Sequence, residues 1–309
     1  MNVPIPPIFL YEVDYSIYEV MDGLQRLTAI YDFYKGKFNL EGLEYWQELN
    51  GRNYKNLPEQ IKRGIDRRYL SSIVLLQETA KSTEEADFLK QIVFERLNSG
   101  GEKLTPQETR NALRNGKFNQ LCIKLAENDS FRKMWKLPLE SEGEEELLKS
   151  EPYRKMEDVE LVLRFFAYRH IANFKSPVDK FLDGYLKQAN GYPEQTIKNL
   201  ETLFNETINL IYSIFGDSAF ILPKEKRDNK APLKIIYDSM MQVFANNISY
   251  KESFLNHRES IKNALYSNQE LLYIKEENNR PLFDSRYNNR KDVEARINYF
   301  HNFLQGYVS

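Results

Sequence analysis

Two short apolar runs open the chain, Ile8-Phe9-Leu10-Tyr11-Glu12 and Ile17-Tyr18-Glu19-Val20-Met21, with the turn-forming stretch Val13-Asp14-Tyr15 between them. That pattern predicts two paired strands. From residue 24 the apolar spacing lengthens to three and four, through Leu24, Leu27, Ile30, Tyr31 and Tyr34, which predicts a helix over 23–34 with one buried stripe, ending near Gly36. Short strands are expected at 38–43 and 48–54, around Gly42 and Gly51, and a helix over 57–68. The run Ser71-Ser72-Ile73-Val74-Leu75-Leu76-Gln77 predicts a strand apolar enough for burial on both faces. A helix over 82–97 is stopped by Asn98-Ser99-Gly100-Gly101. Thr105-Pro106-Gln107-Glu108 then supplies an N-cap, a proline at the first helical position and a glutamate at the third, and starts a helix that ends at Gly116.

Past residue 117 the periodicity is helical throughout. Helices are predicted over 156–173, 177–188, 193–215, 232–246, 257–266 and 290–304, the last carrying Val293, Ile297, Phe300 and Leu304 on one stripe. The acidic run at 140–151 reads as a loop or linker, and the Asn-rich stretch 267–289 as irregular. The expected class is therefore α+β: a mixed domain over 1–116 followed by an all-helical region over 117–309.

Composition narrows the chemistry. With 309 residues, 20 Tyr and 19 Phe, a sizeable core is available. A net charge of −2 gives no bulk electrostatic sign of a nucleic-acid binder, although Arg52, Lys55, Lys62, Arg63, Arg67 and Arg68 form a local basic stretch that is ordinarily a solvated helix face. The single cysteine, Cys122, lies on an apolar helix face and excludes intrachain disulfides and cysteine-built zinc sites. Prolines occupy the place of a signal peptide's apolar core and no apolar run reaches a membrane span, so a soluble cytoplasmic protein is expected. His170, His257 and His301 have no metal-ligand partner at helical spacing and read as surface or satisfied core residues.

The most informative stretch is Met21-Asp22-Gly23-Leu24-Gln25-Arg26-Leu27, where a strand turns directly into a helix. Two readings of it stand. In one, Asp22 is the N-cap and Gln25, three residues on, completes a capping box. In the other, the helix start offers N–H groups to an anion, Gly23 lets a ligand approach the backbone, and Arg26 presents a planar fork that suits phosphate. A carboxylate beside a phosphate is repulsive unless a divalent cation lies between them, so Asp22 makes the second reading a nucleotide–metal site.

These residues resemble the Asp-Gly-Gln-Gln-Arg signature of the N-terminal, ParB-like domain of the GmrSD family of modification-dependent restriction systems, with Leu24 in place of the first Gln. Pro4-Ile5-Pro6-Pro7-Ile8-Phe9-Leu10 is similar to the strand before that signature. Phe94-Glu95-Arg96-Leu97-Asn98-Ser99-Gly100-Gly101-Glu102-Lys103-Leu104-Thr105-Pro106-Gln107-Glu108 is similar to the family's second signature. The resemblance covers residues 1–116 and implies a ParB/sulfiredoxin-like fold and a nucleoside triphosphatase acting as a sensor or regulatory subunit in anti-phage restriction. It implies Asp22, Gln25 and Arg26 as catalytic residues: Asp22 holding Mg²⁺, Gln25 orienting the attacking water, Arg26 holding phosphate. Gly23, Arg96 and Asn98 would contact the nucleotide. A module that binds nucleotide or modified DNA without turnover, and docks a partner nuclease, is the other function the resemblance allows.

Two departures bear on this. Family members begin with a further segment, carrying Gln-Arg and Trp, ahead of the Pro-rich strand; this sequence starts near that strand, so a strand, a helix and any ligand groups on them are expected to be missing. The family often carries a His-Asn-His nuclease module as well. The three scattered histidines do not match one, and DNA cleavage is expected to fall to a separate nuclease subunit.

Overall fold

A computed structural model describes residues 5–76, 82–97, 104–175, 177–221, 231–267 and 281–308. The chain divides into two compact units, Met1–Lys103 and Leu104–Ser309. The expected class holds: a small sheet with helices, followed by a helical region.

In the N-terminal unit, β1 (Ile8–Asp14) pairs antiparallel with β2 (Ile17–Asp22) and parallel with β3 (Ser72–Leu75), giving the order β2-β1-β3. The hairpin closes through Asp14, whose carboxylate accepts from the Tyr15 N–H at 2.7 Å, and through Ser16 in the left-handed region. Between β2 and β3 run α1 (Leu24–Lys35) and α2 (Glu59–Asp66), and α3 (Thr83–Leu97) packs on β2. Lys90 of α3 pairs with Glu19 of β2 and stands 4.8 Å from the centre of the Tyr11 ring.

Three expectations fail here. The stretches at 38–43 and 48–54 are not strands. Asn50 ties back to Leu43 through both amide atoms, at 2.9 and 3.3 Å, so the chain folds into short 3-10 turns at Gln47–Leu49 and Tyr54–Asn56. The stripe on α1 is not buried: no residue of the helix is, and Leu24 is 63% exposed. At its C-terminal end α1 is held by aromatic and polar contact. Tyr34 stacks on Tyr54 at 4.4 Å, and both hydroxyls donate to Asp66 at 2.8 Å. Burial, and then the Asp66 carboxylate, push the Tyr34 phenol up to about 12. Nor is β3 buried on both faces. It lies at the sheet edge, and Ile73 is 50% exposed. Among the described residues the exposed large apolar side chains fall mainly in this unit.

The helical unit contains α4 (Pro106–Leu113), α5 (Lys117–Ala126), α6 (Asp129–Trp135), α7 (Glu144–Lys149), α8 (Glu151–Arg154) and α9 (Glu157–Tyr168). Then follow α10 (Val178–Ala189), α11 (Glu194–Phe215), α12 (Lys234–Asn246), α13 (Lys251–Asn256), α14 (Arg258–Ser267) and α15 (Arg290–Gln305). Asp158 to Tyr168 of α9 are buried except Glu160, as are Ile235 to Ala245 of α12; helices apolar nearly all round belong at the centre of a bundle. Cys122 is buried against them, and burial pushes its thiol up.

The division between units falls at Lys103/Leu104, earlier than residue 116. The capping box of α4 forms as read, but the helix belongs to the helical unit through Arg110. That guanidinium is buried and reaches Glu160 of α9 at 3.2 Å, and Asp179 and Asp183 of α10 at 3.0 and 2.7 Å. The acidic run at 140–151 is not a linker either. It folds inside this unit as a 3-10 turn, α7 and the start of α8, with Glu144, Glu145 and Glu146 in the favourable first turn of α7.

A pH dependence follows from Asp158, which is buried beside Arg132. Burial pushes its carboxyl up from the usual 3.8 to about 6, against the pull of the Val159 N–H and the Arg132 charge. The folded value lies above the unfolded one. The contribution is therefore stabilising below about pH 4 and is lost as pH rises through 6. At about 1.4 kcal/mol per unit, the ionised form carries a penalty on the order of 3 kcal/mol at neutral pH. Asp158→Asn keeps an acceptor for Val159 and removes the charge. Urea midpoints should show it more stable than the parent by about 1–3 kcal/mol at pH 7.5, the gain shrinking below pH 6 and vanishing toward pH 4. A variant less stable at pH 7.5 would mean that attraction to Arg132 outweighs burial.

Candidate functional site at the strand-to-helix junction

The signature run lies where β2 ends and α1 begins. Asp22 is the last residue of β2, opposite Phe9. Gly23 is the N-cap, with φ +98°, and no side chain caps the helix. The capping-box reading is thereby corrected: a residue in the left-handed region separates Asp22 from the helix, and the Asp22 carboxylate accepts from Arg26 and from none of the first N–H groups. Gly23 is also packed. A Cβ there would sit 2.3 Å from Cγ2 of Ile8, so its small size serves the contact between β1 and the helix start.

Asp22 instead meets Arg26. Nη2 of Arg26 donates to the Asp22 carboxylate at 2.5 Å, and Nη1 donates to the carbonyls of Pro6 and Pro7 at 2.6 and 3.1 Å. Arg26 thus fastens α1 to the Pro-rich lead-in of β1, a structural duty its position in the sequence does not reveal. A guanidinium has five N–H donors, and these bonds use three. The other two, one on Nη2 and the one on Nε, have no protein partner among the described residues. The side chains stay open to solvent, Arg26 at 28% and Asp22 at 41% exposure. Gln25 is exposed and makes no side-chain hydrogen bond among the described residues.

Asp22, Gly23, Gln25 and Arg26 therefore lie together. Arg96 is exposed in the last turn of α3. Asn98, Gly100 and Gly101 lie outside the described residues. Among those described, no group of three His, Cys, Asp or Glu side chains is arranged for a metal. Asp22 alone still suits Mg²⁺, which commonly takes one or two carboxylates and fills its octahedron with substrate phosphates and water. Thermodynamically the demand is modest, since the carboxylate would exchange a half-exposed arginine for a cation.

The sequence reading passed over a cavity of about 740 Å³ in this unit. Ile30 and Ile61 line it, with Trp46, Arg68 and Tyr69 at its rim. It adjoins the junction along the chain: Ile5, also in its wall, precedes Pro6, and Ile30 lies one turn beyond Arg26. Exposed aromatics at 46 and 69 were the available signal, but nothing in their spacing joins them.

Residues 1–114 match the family model described as the GmrSD restriction endonuclease, N-terminal domain. The chain thus carries a GmrSD-type N-terminal domain, and with it a tie to restriction systems. The match runs beyond the first compact unit and takes in α4. No curated protein and no solved structure matches the chain. Among the described residues no helix is long and apolar enough to cross a membrane.

Proposed function

We propose that the N-terminal unit binds a nucleoside triphosphate with Mg²⁺ at the strand-to-helix junction and hydrolyses it, as the sensor or regulatory subunit of a modification-dependent, anti-phage restriction system. The observation that carries this reading is Arg26: a half-buried guanidinium with two N–H donors left over among the described residues, beside a part-exposed carboxylate and a helix start that no described side chain caps. A carboxylate, a cation and free backbone N–H groups at one point form a recurrent setting for a metal-bound phosphate. Bound Mg²⁺ would neutralise charge on the phosphate oxygens. Asp22 would hold it, Arg26 would direct its spare donors at the phosphate, and exposed Gln25 would orient the attacking water. Phosphoryl transfer draws its rate mainly from such positioning and charge stabilisation. The cavity between Trp46 and Tyr69 is of a size for the base and sugar. Arg96 and Asn98, from the second signature, would add contacts to the nucleotide.

A second reading has an observation of its own. Leu24, Tyr31, Ile73 and Val74 are exposed around α1 and β3, which suits a module that docks a nuclease partner and binds nucleotide or modified DNA without turnover. Phosphate release with Mg²⁺ and each of the four ribonucleoside triphosphates separates the two. Gln25→Ala is the diagnostic variant. Its side chain makes no bond among the described residues, so the melting temperature and nucleotide affinity should match the parent while phosphate release falls at least ~10-fold. Asp22→Asn should lose the stabilisation that Mg²⁺ and nucleotide give together, a shift of roughly 2.7 kcal/mol at a hundredfold excess over Kd. Release by Gln25→Ala at the parental rate would remove Gln25 from the mechanism. Absence of nucleotide stabilisation in the parent would remove the triphosphatase reading and leave of the second only a module that binds modified DNA.

A further inference from the structure

A second cavity, of about 510 Å³, lies in the helical unit, where the chain leaves α9 and enters α10. Among the described residues, three groups able to carry positive charge line it, His170, Lys175 and Lys180, and none of the lining residues is acidic. Neither lysine makes an ion pair among the described residues. Asn173 and Gln188 add amide groups, and the buried rings of Phe181 and Tyr185 form an apolar floor.

Helix α10 is built to keep this side positive. Its two carboxylates, Asp179 and Asp183, lie one turn apart and are both drawn to Arg110. Lys180, Gly184 and Gln188 form the next stripe, again at intervals of four, and that stripe lines the cavity. Gly184 is the unexpected member. Glycine inside a helix costs about 1 kcal/mol against alanine. No packing among the described residues requires it, because a Cβ there would meet none of their atoms within 4 Å. Its effect is to leave the helix backbone open as one wall of the cavity.

We propose that this cavity binds a nucleoside phosphate, the phosphate at Lys175, Lys180 and His170, and the apolar part against the aromatic floor and the bare backbone at Gly184. The volume suits one nucleotide. That nucleotide could be free or could terminate a nucleic-acid strand, since both present the same chemistry. The site lies in the other compact unit from the strand-to-helix junction and does not rest on the function proposed for it.

The test uses the full chain in EDTA, with AMP and with a fluorescein-labelled, 5′-phosphorylated single-stranded DNA 12-mer as separate probes, and inorganic phosphate as competitor. Lys175→Ala/Lys180→Ala removes two exposed charges that have no ion pair among the described residues. Gly184→Leu fills the cavity with a better helix former, so its melting temperature should not fall. Either probe that binds the parent should bind each variant at least tenfold more weakly, should be displaced by phosphate, and should be unaffected by Asp22→Asn. AMP binding with these properties identifies a free nucleotide as the ligand. DNA binding without AMP binding, lost when the 5′-phosphate is omitted, identifies a strand end. The proposal is overturned if the parent binds neither probe, if both variants bind like the parent, if the 12-mer alone binds and does so regardless of its 5′-phosphate, or if Asp22→Asn abolishes the binding.

Discussion

Asp238→Ala should lower the stability of the helical unit by about 3–5 kcal/mol, because it strands a buried cation. Asp238 lies on α12 and is 1% exposed. Its carboxylate accepts from Nε of Arg164 on α9 at 3.1 Å, and from Nη2 of the same guanidinium. Nη2 of Arg164 also donates to the Tyr168 hydroxyl at 3.2 Å, and the Tyr168 ring lies 5.1 Å from the guanidinium. Burial alone would lower the arginine; the Asp238 charge outweighs it and holds the side chain protonated. The carboxyl is pushed up by burial in turn and pulled back by Arg164. Such a pair couples the two central helices while contributing little net stability, so the damage comes from breaking it on one side. Arg164→Met/Asp238→Leu should therefore recover most of the loss. Urea unfolding in a Trp46→Phe background reads this unit alone, since Trp135 of α6 is then the only tryptophan and packs on Phe220 and Tyr237. Equal losses in the single and double variants would mean that packing, not charge, sets the cost.

What the sequence discloses here is local order, and what it withholds is who meets whom. The hairpin predicted at 8–12 and 17–21 is found at Ile8–Asp14 and Ile17–Asp22, and the helix predicted over 193–215 at Glu194–Phe215. Strand runs and long helical periods are written in neighbouring residues. The stripe of α1 and the apolar run of β3 were read with the same logic, yet Leu24 and Ile73 stay exposed. Periodicity tells which face is apolar and is silent on whether another element arrives to cover it. Partners distant in sequence were equally hidden. Arg26 reaches Pro6 and Pro7 across some twenty residues, and Arg110 gathers Asp179 and Asp183 from about seventy away. The helix predicted over 156–173 breaks after Tyr168 into a 3-10 turn at Ile171–Asn173, and that break opens the cationic cavity. At the junction the residues of the candidate site were legible from the signature. The fit of Asp22 and Gln25 to a capping box was misleading, because the pattern takes no account of a left-handed Gly23 between them.

Gly23→Ala should be the most damaging small substitution in the N-terminal unit, at about 2–5 kcal/mol. Two causes add. An alanine at φ +98° is strained by about 1–2 kcal/mol, since the left-handed region crowds Cβ against the backbone. Its methyl would also come within 2.3 Å of Cγ2 of Ile8, and overpacking of that kind typically costs about 1–3 kcal/mol. Ile8 is itself buried and held in the sheet by pairing with Ser72, so the strand has little room to withdraw. A double-mutant cycle with Ile8→Ala separates the causes. Removing Cγ2 relieves the contact and leaves the backbone strain, so the two changes together should cost less than the sum of each alone by about 1–3 kcal/mol. Additive losses would assign the whole effect to the backbone. The same cycle bears on the proposed site. If Gly23 served only to admit a phosphate, Gly23→Ala would weaken nucleotide binding and leave the ligand-free protein intact. The contact with Ile8 predicts that the ligand-free protein itself unfolds at lower urea, with or without magnesium and triphosphate in the buffer.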